Sequence, residues 1–398
     1  MILTLGAVAA GGACVARAED GRVVFVRHGI PGETVRVVVT GESKSFLRAD
    51  AVEALEASPD RVSPPCVYAA PGRCGGCDFQ HVALPRQRLL KASLVEEQLR
   101  RLAGLDLPVV VEPVPGDVDG LRWRTRVSFG VRADGRAGLH KHRSRELEPV
   151  DFCLIATSDV EAVGAERLSW PGAASVEVVA SGSQRVVDVS GRIQDLPDVE
   201  AGLVVNGRPR RVPHGVRHSV LGRAFDVAAG GFWQVHPGAA SVLAAAVLDG
   251  LDPRPEDTVV DLYAGVGLFA SLLADRVASV LAVEGDARAC ADAARNTYDQ
   301  PNVRIRTAAV DAALVSRLRR PSLVVLDPPR AGAGLEVSRA LVALTPRRIA
   351  YVACDPASFA RDLRVFLDAG WTMPSLRAFD LFPMTEHVEL VAVLEPPA

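Results

Sequence analysis

Two stretches near the C-terminus end in residue types that can carry out covalent chemistry. RPSLVVLDPPRAG is an apolar run closed by Asp327 and two prolines, and RRIAYVACDPASFARDL is an apolar run closed by Cys354, an aspartate, a proline and a helical pattern. Because proline cannot continue a β-ladder, each strand should stop there and leave Asp327 or Cys354 at its carboxyl end. A helix N-terminus beside a thiol lowers its pKa and favours the nucleophilic thiolate. The sequence therefore predicts a reactive Cys354 at one edge of a sheet.

A candidate base follows in the last apolar run of the chain. DLFPMTEHVELVAVL carries Glu386, His387 and Glu389 at the start of a predicted strand. A carboxylate or an imidazole beside the nucleophile can remove a proton from the substrate. Taken singly, a cysteine such as Cys354 is more often a core residue, and a glutamate such as Glu389 is more often a surface residue. Their joint occurrence around the DPPR motif favours a catalytic site.

Residues 258–284 form the element that must position a ligand for these groups. TVVDLYAGVGLFASLLADRVASVLAVE indicates a strand, a turn containing Gly265 and Gly267, a helix, and a second strand ending at Glu284. Glycines let the backbone approach a ligand closely, and an acid at this place in an open parallel sheet can accept both ribose hydroxyls of a nucleotide. Ala270 would complete the pattern of a dinucleotide site. The downstream motifs lack the acid/base set that an NAD-linked oxidoreductase needs, so we interpret the stretch as an adenosyl site.

Four cysteines in the N-terminal half have the spacing of metal ligands. Cys66, Cys74 and Cys77 fall within twelve residues rich in glycine and proline, and Cys153 lies 76 residues beyond Cys77. A Cys-x2-Cys pair with two glycines between forms a tight turn that aims two thiolates at one centre. A four-thiolate set suits zinc and an iron–sulfur cluster equally, so the spacing does not choose between them. Free buried cysteines are the alternative interpretation.

Two basic segments have the residue types of phosphate contacts. LRWRTRVSFGV places Arg122, Arg124 and Arg126 on one face of a predicted strand, and KHRSR at 141–145 follows a predicted hairpin. Clustered basic residues with interleaved aromatic residues are typical of RNA contacts. A charge run alone is more often a solvated face. The stripe of three arginines favours an RNA contact but does not establish one.

The composition indicates a globular protein of two or three domains. The chain has 398 residues, 48% of them hydrophobic and 23% charged, with a net charge of −3. That charge excludes a wholesale cationic nucleic-acid binder, so any RNA contact must be regional. No apolar run approaches the ~20 residues of a membrane span, and the N-terminal stretch lacks the basic start of a secretory signal. We expect a cytoplasmic protein whose seven cysteines serve ligation or catalysis before disulfides.

Strand and helix signals divide the chain into three predicted parts. Residues 1–55 show short alternating strands between glycine-rich turns, which predicts a small β-barrel. Residues 56–225 carry the cysteines and are predicted as a β-rich central domain, apart from one amphipathic helix at 85–104 that can pack on the last part. Residues 226–398 alternate strands with helices, which predicts an α/β domain with a doubly wound sheet.

Together these stretches resemble one known family. Residues 258–284, LDPPRAG, YVACDPASFARD and LFPMTEHVELV occur in the order and spacing of the S-adenosylmethionine-dependent RNA uracil C5-methyltransferases, and RVVFVRHGIPGETVRVVV resembles their RNA-binding TRAM domain. The resemblance runs from near residue 10 to the C-terminus and is weakest at 155–225. It implies a Rossmann-like methyltransferase domain preceded by an OB-like TRAM barrel and by a central domain with an iron–sulfur cluster.

The resemblance also implies residue roles. Cys354 matches the nucleophile of the family and Glu389 its general base. The contacts to S-adenosylmethionine and uracil match Gln234, Tyr263, Gly265, Gly267, Glu284, Asp311 and Asp327. The ligands of a [4Fe–4S] cluster match Cys66, Cys74, Cys77 and Cys153, with a gap between the first two that is longer than the family pattern. Ala264 and Leu268 also depart from that pattern. Because the Leu268 side chain cannot form a hydrogen bond, backbone amides would have to make that contact to the cofactor.

These roles predict one reaction. The protein is expected to transfer a methyl group from S-adenosylmethionine to C5 of a uridine in ribosomal or transfer RNA, with Cys354 adding to C6, Glu389 taking the C5 proton and Asp327 holding N3–H. The target base must leave its stack to present its face to these groups. A non-catalytic RNA-binding protein that retains an adenosyl pocket is the alternative. The expected partner is RNA, with neither DNA nor a membrane, and the expected state is a monomer.

Overall fold

Strands dominate the N-terminal half of the chain, and strands alternate with helices after residue 239. The computed structural model describes all 398 residues. The strands are β1 (Ile2–Thr4), β2 (Cys14–Arg17), β3 (Val23–Arg27), β4 (Thr34–Glu42), β5 (Phe46–Glu56), β6 (Val111–Pro113), β7 (Arg126–Val131), β8 (Ala137–His140), β9 (Leu147–Pro149), β10 (Ala173–Ser181), β11 (Gln184–Gly191), β12 (Gly202–Val205), β13 (Arg208–Arg211), β14 (Gly215–Val220), β15 (Arg223–Ala228), β16 (Thr258–Leu262), β17 (Ser279–Glu284), β18 (Val303–Thr307), β19 (Leu323–Leu326), β20 (Arg348–Ala353), β21 (Thr372–Asp380) and β22 (Glu389–Glu395).

Eight α-helices accompany these strands. They are α1 (Leu84–Gln98), α2 (Ser158–Glu161), α3 (Ala239–Leu251), α4 (Leu268–Ala274), α5 (Ala287–Asn296), α6 (Ala312–Ser316), α7 (Leu335–Leu344) and α8 (Pro356–Asp368). The helix predicted at 85–104 is α1 continued by a π-helical turn at Leu99–Ala103, which ends at Gly104 in the left-handed conformation. None of the helices has the length and hydropathy that a membrane span requires.

The N-terminal strands close into a small barrel. The five strands hydrogen-bond in the order β1-β4-β5-β3-β2. The segment after β1 then pairs with β2, since Gly6 N donates to Val15 O at 2.8 Å and Val15 N donates to Ala7 O at 2.9 Å. Val24 and Val26 alternate with half-buried residues along β3 and are fully buried in the barrel core. The structure therefore confirms the predicted small β-barrel.

The middle of the chain forms a seven-stranded sheet in the order β13-β12-β11-β10-β7-β8-β9. Its pairs are antiparallel except for β11 with β12. Trp170, Val176 and Val178 are buried in the core against this sheet. The valine-rich sequence at 155–225 thus forms strands as expected, although its last strands, β14 and β15, make a separate two-stranded sheet.

The predicted stripe of three arginines on one strand is wrong. Strand β7 begins only at Arg126. Arg122 has a φ of +58°, which removes it from any strand, and its guanidinium pairs with Glu161. Arg126 pairs with Glu177 at 3.0 Å. Two of the three charges are therefore matched by acids, which weakens this segment as a phosphate-binding surface.

The C-terminal half forms an eight-stranded sheet in the order β18-β17-β16-β19-β20-β22-β21-β6. The first five strands of that order are parallel, and β22 runs antiparallel between β20 and β21. Every residue of β19 is buried, as expected for a strand whose apolar sequence is covered on both faces. The chain order reverses between β16 and β19, and the crevice at the carboxyl ends of such strands is where ligands bind.

The contacts divide the chain into two compact units, each assembled from separate segments. Unit 1 comprises Met1–Leu94, Asp117–Pro213 and Phe382–Glu386, and unit 2 comprises Val95–Gly116, His214–Leu381 and His387–Ala398. Residues 382–386 belong to unit 1 although they lie near the C-terminus. Within unit 1, Met384 N donates to Gln87 Oε1 at 2.9 Å, and Met384 O accepts from Asp78 N and Phe79 N, both at 2.9 Å.

Candidate active site

The register of β20 and β22 places Cys354 beside Glu389. Ala353 of β20 is the antiparallel partner of Leu390 in β22. One residue further on, Cys354 follows β20 and Glu389 begins β22, so the same register puts them opposite each other. Strand β19 lies beside β20 and ends just before Asp327. The sheet thus brings the predicted nucleophile, the predicted base and Asp327 to one edge.

Both carboxyl groups at this edge have raised pKa values. The side chain of Glu389 is buried, with 3% of its surface exposed. Burial raises its pKa well above the usual range, and the charge of Asp327 adds to the increase. Burial also raises the pKa of Asp327, to about 7. Once it is ionised, a carboxylate with a raised pKa is a stronger base than an exposed one, which suits proton removal from carbon.

Burial opposes the lowering of the Cys354 pKa that the sequence predicts from the helix N-terminus. The helix is as expected, because Asp355 caps α8 by accepting from Ser358 N at 2.7 Å. Burial, with smaller contributions from the nearby Glu389 and Asp327, nevertheless raises the pKa of the Cys354 thiol to about 12, while Arg330 opposes them. A helix terminus contributes only ~0.3–1 kcal/mol, so burial outweighs it and the thiol is protonated.

The loop that follows the DPPR motif is anchored by one buried carboxylate. Asp362 of α8 is 3% exposed. Its Oδ2 accepts three hydrogen bonds, from Ala333 N at 2.8 Å, from Gly334 N at 3.2 Å and from Tyr351 Oη at 2.6 Å. Asp362 therefore ties this loop to the helix that follows Cys354 and to strand β20.

The turn after β16 is open where a ligand would approach. Gly265 has a φ of +54°, and a Cβ placed on it would meet no atom within 4 Å. Gly267 has a φ of +86° and packs against α5, where a Cβ would lie 3.3 Å from that of Ala293. Both conformations are costly for residues other than glycine. The backbone at Gly265 can thus contact a ligand directly, as the sequence predicts.

Glu284 is held in place by backbone amides. Its Oε2 accepts from Gly265 N at 2.9 Å, and its Oε1 accepts from Asp286 N at 2.8 Å. Each carboxylate oxygen can accept a further hydrogen bond. The side chain is half-buried at the end of β17, so it is positioned to accept from two hydroxyl groups, as a ribose would offer.

Asp261 was not among the predicted site residues. It lies inside β16, is fully buried, and accepts from Ala270 N at 2.9 Å through Oδ2, while its Oδ1 has no partner. Burial raises its pKa to about 8, helped by the charges of Asp327 and Glu284. A buried acceptor without a partner is costly unless a ligand or water supplies a donor. In the sequence, the sign that this residue could belong to the site is its position as an acid within an otherwise apolar strand.

The remaining predicted contacts to the methyl donor are less constrained. Gln234 and Tyr263 are half-buried, and Tyr263 has an unusual φ of +63°. Asp311 is exposed and caps α6 by accepting from Leu314 N at 2.7 Å. Leu268, which departs from the family pattern, is the first residue of α4 and is buried. These ligand contacts stay predictions.

The four predicted cluster ligands line one cavity. Cys66, Cys74, Cys77 and Cys153 all line one cavity of about 50 Å³. Gln80 Nε2 donates to Cys77 Sγ at 3.2 Å. Burial raises the pKa of the Cys74 thiol to about 11, with smaller contributions from Cys153 and Cys66. No three His, Cys, Asp or Glu side chains are arranged to hold one metal ion, so the structure brings the cysteines together without forming a single-ion site.

Known proteins match the chain over nearly its whole length. Residues 240–396 match the tRNA (uracil-5-)-methyltransferase family, and residues 2–52 match the TRAM domain. An uncharacterized RNA methyltransferase of Streptomyces coelicolor is 50% identical, over 99% of this chain and 92% of that protein. A 23S rRNA (uracil(1939)-C(5))-methyltransferase of Chromohalobacter salexigens is 32% identical, over 98% of this chain and 88% of that protein. The chain belongs to the RNA uracil C5-methyltransferase family.

A solved structure supports the fold assignment within this family. The tRNA (uracil-54, C5)-methyltransferase of Pyrococcus abyssi, determined in complex with S-adenosyl-L-homocysteine, superposes with a TM-score of 0.76 at 22% identity. The alignment covers 99% of this chain and 100% of that one. The predicted methyltransferase fold with a TRAM domain is confirmed, whereas the iron–sulfur character of the central domain stays a prediction.

Proposed function

We propose that this protein transfers a methyl group from S-adenosylmethionine to C5 of a uridine in RNA, with Cys354 as nucleophile and Glu389 as general base. The observation that carries the proposal is the register of β20 and β22, which sets a thiol opposite a buried carboxyl group. The relatives named above act on 23S rRNA and on tRNA. Both classes of RNA are therefore candidate substrates here.

The residues at this edge match the needs of the reaction. Uracil C5 is a poor nucleophile, but after Cys354 has lost its proton to solvent, addition of its Sγ to C6 converts C5 into an enolate carbon. This carbon can attack the methyl group of S-adenosylmethionine, so that the methyl–sulfur bond breaks and S-adenosylhomocysteine leaves. Glu389 then takes the proton from C5, the bond between Cys354 and C6 breaks, and the ring double bond is restored. Asp327 can hold the ring through N3–H when its carboxylate is ionised.

The raised pKa of Cys354 implies that the methyl donor binds before the thiol adds to C6. The thiol must lose its proton before it adds to C6, and its pKa of about 12 opposes this in the protein alone. Positive charge brought next to a thiol lowers its pKa. The sulfonium of the methyl donor supplies such a charge together with the transferable methyl group. Cys354 should therefore become nucleophilic in the complex with the donor.

The residues after β16 fit an adenosyl group. The open space over Gly265 admits a ligand against the backbone, and the fixed carboxylate of Glu284 can accept ribose hydroxyls. The unpartnered Oδ1 of Asp261 calls for a hydrogen-bonding group that the protein does not provide. We propose Gln234, Tyr263 and Asp311 as the further contacts of the family pattern.

We also propose that the cysteine cavity holds a [4Fe–4S] cluster. Four thiolates are the donor set of such a cluster, and all four cysteines line one cavity. Anaerobically purified protein should be brown and contain roughly four irons per chain with labile sulfide. Cys77→Ser should lose the iron, whereas Cys14→Ala, in the barrel core, should keep it. Stoichiometric zinc without sulfide would refute the assignment.

The catalytic proposal is tested with RNA carrying 5-fluorouridine. Fluorine at C5 cannot leave as a proton does, so the wild-type protein should form a covalent complex that survives a denaturing gel. Cys354→Ala should abolish both this complex and 5-methyluridine formation, while Cys14→Ala keeps both. Glu389→Gln should form the adduct with ordinary RNA and fail to release it.

Three outcomes would contradict the proposal. If Cys354→Ala still methylates uridine at C5, the covalent mechanism is wrong. If Glu389→Gln turns over normally, the base is another group, such as His387. If the wild-type protein binds S-adenosylmethionine and RNA but mass mapping finds no 5-methyluridine, the protein is a non-catalytic RNA-binding member of the family.

A further inference from the structure

One turn of the barrel packs on the segment that leads to Glu389. The turn lies between β1 and β2, and Gly12 N donates to Ala9 O at 3.0 Å within it. Gly11 N, in the same turn, donates to Glu386 Oε2 at 2.8 Å. The turn and residues 382–386 all belong to unit 1. The barrel is therefore joined by a hydrogen bond to the stretch of chain that runs into β22.

Gly12 permits a close approach between this turn and the segment. It is buried and has a φ of +71°. A Cβ placed on it would lie 3.0 Å from the Cβ of Asp78 and 3.3 Å from the Cβ of Glu386. Carbon atoms at these distances are closer than their usual contact of about 3.5–4.0 Å. A larger residue at position 12 would therefore push the turn away from Glu386.

Asp78 forms a second link between the barrel and the segment. Its Oδ1 lies 3.5 Å from Nη2 of Arg27 in β3, and its Oδ2 accepts from Glu386 N at 3.3 Å. The side chains of Arg27 and Asp78 are only 11% and 14% exposed, so salt screens their attraction weakly. The barrel thus acts on the backbone of the segment as well as on the Glu386 side chain.

Helix α1 holds the same segment in one conformation. Met384 has a φ of +67°, which is unfavourable for a residue other than glycine. Its N–H donates to Gln87 Oε1 at 2.9 Å, and the fully buried Lys91 donates from Nζ to Phe382 O at 2.9 Å. A strained backbone persists only where its surroundings fix it. The segment therefore keeps a defined shape between the barrel and β22.

The segment determines where β22 begins. Only His387 and Val388 separate Glu386 from Glu389, the first residue of β22. Val388 is buried, so this connection has little room to change its path. A general base must lie within hydrogen-bond distance of the proton that it removes. A misplacement of about 1 Å can lower a rate about a hundredfold.

We propose that the barrel has a further function, which is to position the general base. Gly11 and Gly12 hold Glu386, and Glu386 holds the chain that carries Glu389. Glu386 is thus a positioning residue and takes no proton from the substrate. The inference rests on the proposed function, since it takes Glu389 to be the base. Loss of the barrel contact should slow proton removal at C5 without preventing the addition of Cys354 to C6.

Gly12→Ala tests this contact, and Gly21→Ala is its matched control. Gly21 lies in the same barrel with a φ of +84°, but a Cβ on it would meet no atom within 4 Å. Both variants carry the strain of a positive φ, and only Gly12→Ala disturbs Glu386. At saturating unmodified RNA, Gly12→Ala should release the covalent adduct about tenfold more slowly than the wild type, so that the adduct accumulates on a denaturing gel. Gly21→Ala should release it at the wild-type rate.

Two further readouts separate positioning from a general loss of structure. With 5-fluorouridine RNA, Gly12→Ala should form the adduct as fast as the wild type and bind S-adenosylmethionine with the same Kd, because neither step uses Glu389. A general loss of structure would slow adduct formation as well and would overturn the proposal. With 5-deuterouridine RNA, kcat should fall by a larger factor in Gly12→Ala than in the wild type, because proton removal limits the rate in the variant.

Substitutions of Glu386 separate positioning from proton transfer. Glu386→Gln keeps a side-chain oxygen that can accept from Gly11 N but has no carboxylate. It should release the adduct at the wild-type rate, whereas Glu386→Ala should be as slow as Gly12→Ala. If Glu386→Gln is as slow as Glu386→Ala, Glu386 acts through its charge and the proposal is wrong. Wild-type release by Glu386→Ala or by Gly12→Ala would also overturn it.

Hydrogen–deuterium exchange distinguishes a failure of this inference from a failure of the proposed function. The backbone amides of residues 386–390 should exchange faster in Gly12→Ala than in the wild type or Gly21→Ala. Unchanged exchange would remove this inference and leave the proposed function intact. A wild-type protein that forms no 5-methyluridine would remove the proposed function, whereas faster exchange in Gly12→Ala would then still support the barrel's hold on this segment.

Discussion

Replacing Asp362 by alanine should destabilise unit 2 strongly, because one oxygen serves three donors. Asp362 Oδ2 accepts from Tyr351 Oη in a buried place, and from Ala333 N and Gly334 N at half-buried positions. Leaving a buried donor unsatisfied costs about 1–3 kcal/mol. Since three donors on one acceptor are not independent, we expect a total of about 4 kcal/mol in Asp362→Ala. Asp362→Asn keeps an oxygen in place and should lose about 1–2 kcal/mol, the difference between charged and neutral hydrogen bonds.

Thermal unfolding measures this loss. For a unit of this size each kcal/mol lowers Tm by about 2–4 °C, so Asp362→Ala should lower it by about 8–16 °C. Asp368→Ala is the matched control, since Asp368 ends the same helix and pairs with Arg364 at 2.7 Å in an exposed position. The control should change stability by at most about 1 kcal/mol. A Tm for Asp362→Ala equal to that of Asp368→Ala would refute the reasoning.

Three further measurements test other parts of the structure. Gly265→Ala should weaken S-adenosylmethionine binding and lower Tm through the strain of its positive φ alone, whereas Gly267→Ala should lower Tm further because its Cβ also meets α5. Equal Tm values for the two variants would contradict this. The rate of Cys354 alkylation by iodoacetamide should rise about tenfold per pH unit from pH 7 to 10, because the pKa of the thiol is about 12. The rate should be higher in Glu389→Gln, which removes a group that raises this pKa. A rate that is flat above pH 8 would mean a lower pKa. Burial lowers the pKa of His81 from 6.5 to about 4, so the unfolded state binds the proton more readily and stability is lost as pH falls through this window. Between pH 6.5 and 5 His81 alone should contribute a loss of about 1.6 kcal/mol, and His81→Gln should remove that share of the pH dependence; an unchanged pH dependence in His81→Gln would contradict this.

The local pattern of the sequence predicted the elements that carry the site. Strands β16, β19 and β20 are short apolar runs ended by glycine, proline or a capped helix, so their carboxyl ends could be placed from the sequence alone. Their meeting at one edge follows because parallel strands share a direction. The pairing of Cys354 with Glu389 needed the antiparallel register of β22, which the resemblance implied and which periodicity could not supply.

Other features depend on contacts far apart in the sequence. Strand β6 has three residues and pairs with β21, with Val111 opposite Ala378, so no local pattern announces it. The arginine stripe failed because alternation presumes an extended chain, and Arg122 adopts a positive φ instead. The helix terminus that lowers the pKa of Cys354 is visible in the sequence, whereas the burial that raises it is not.

The interleaving of the two units has a consequence for how the protein can be made and divided. Residues 382–386 belong to unit 1, while the residues on either side of them belong to unit 2. A fragment beginning at residue 214 would contain the catalytic strands but would lack Gln87, Asp78 and Phe79, the hydrogen-bonding partners of Met384. During synthesis the N-terminal unit emerges first, yet it stays incomplete until nearly the whole chain has left the ribosome. The methyltransferase unit is therefore not a module that one cut could release, and fusions or truncations at that boundary would disturb the segment leading directly to Glu389.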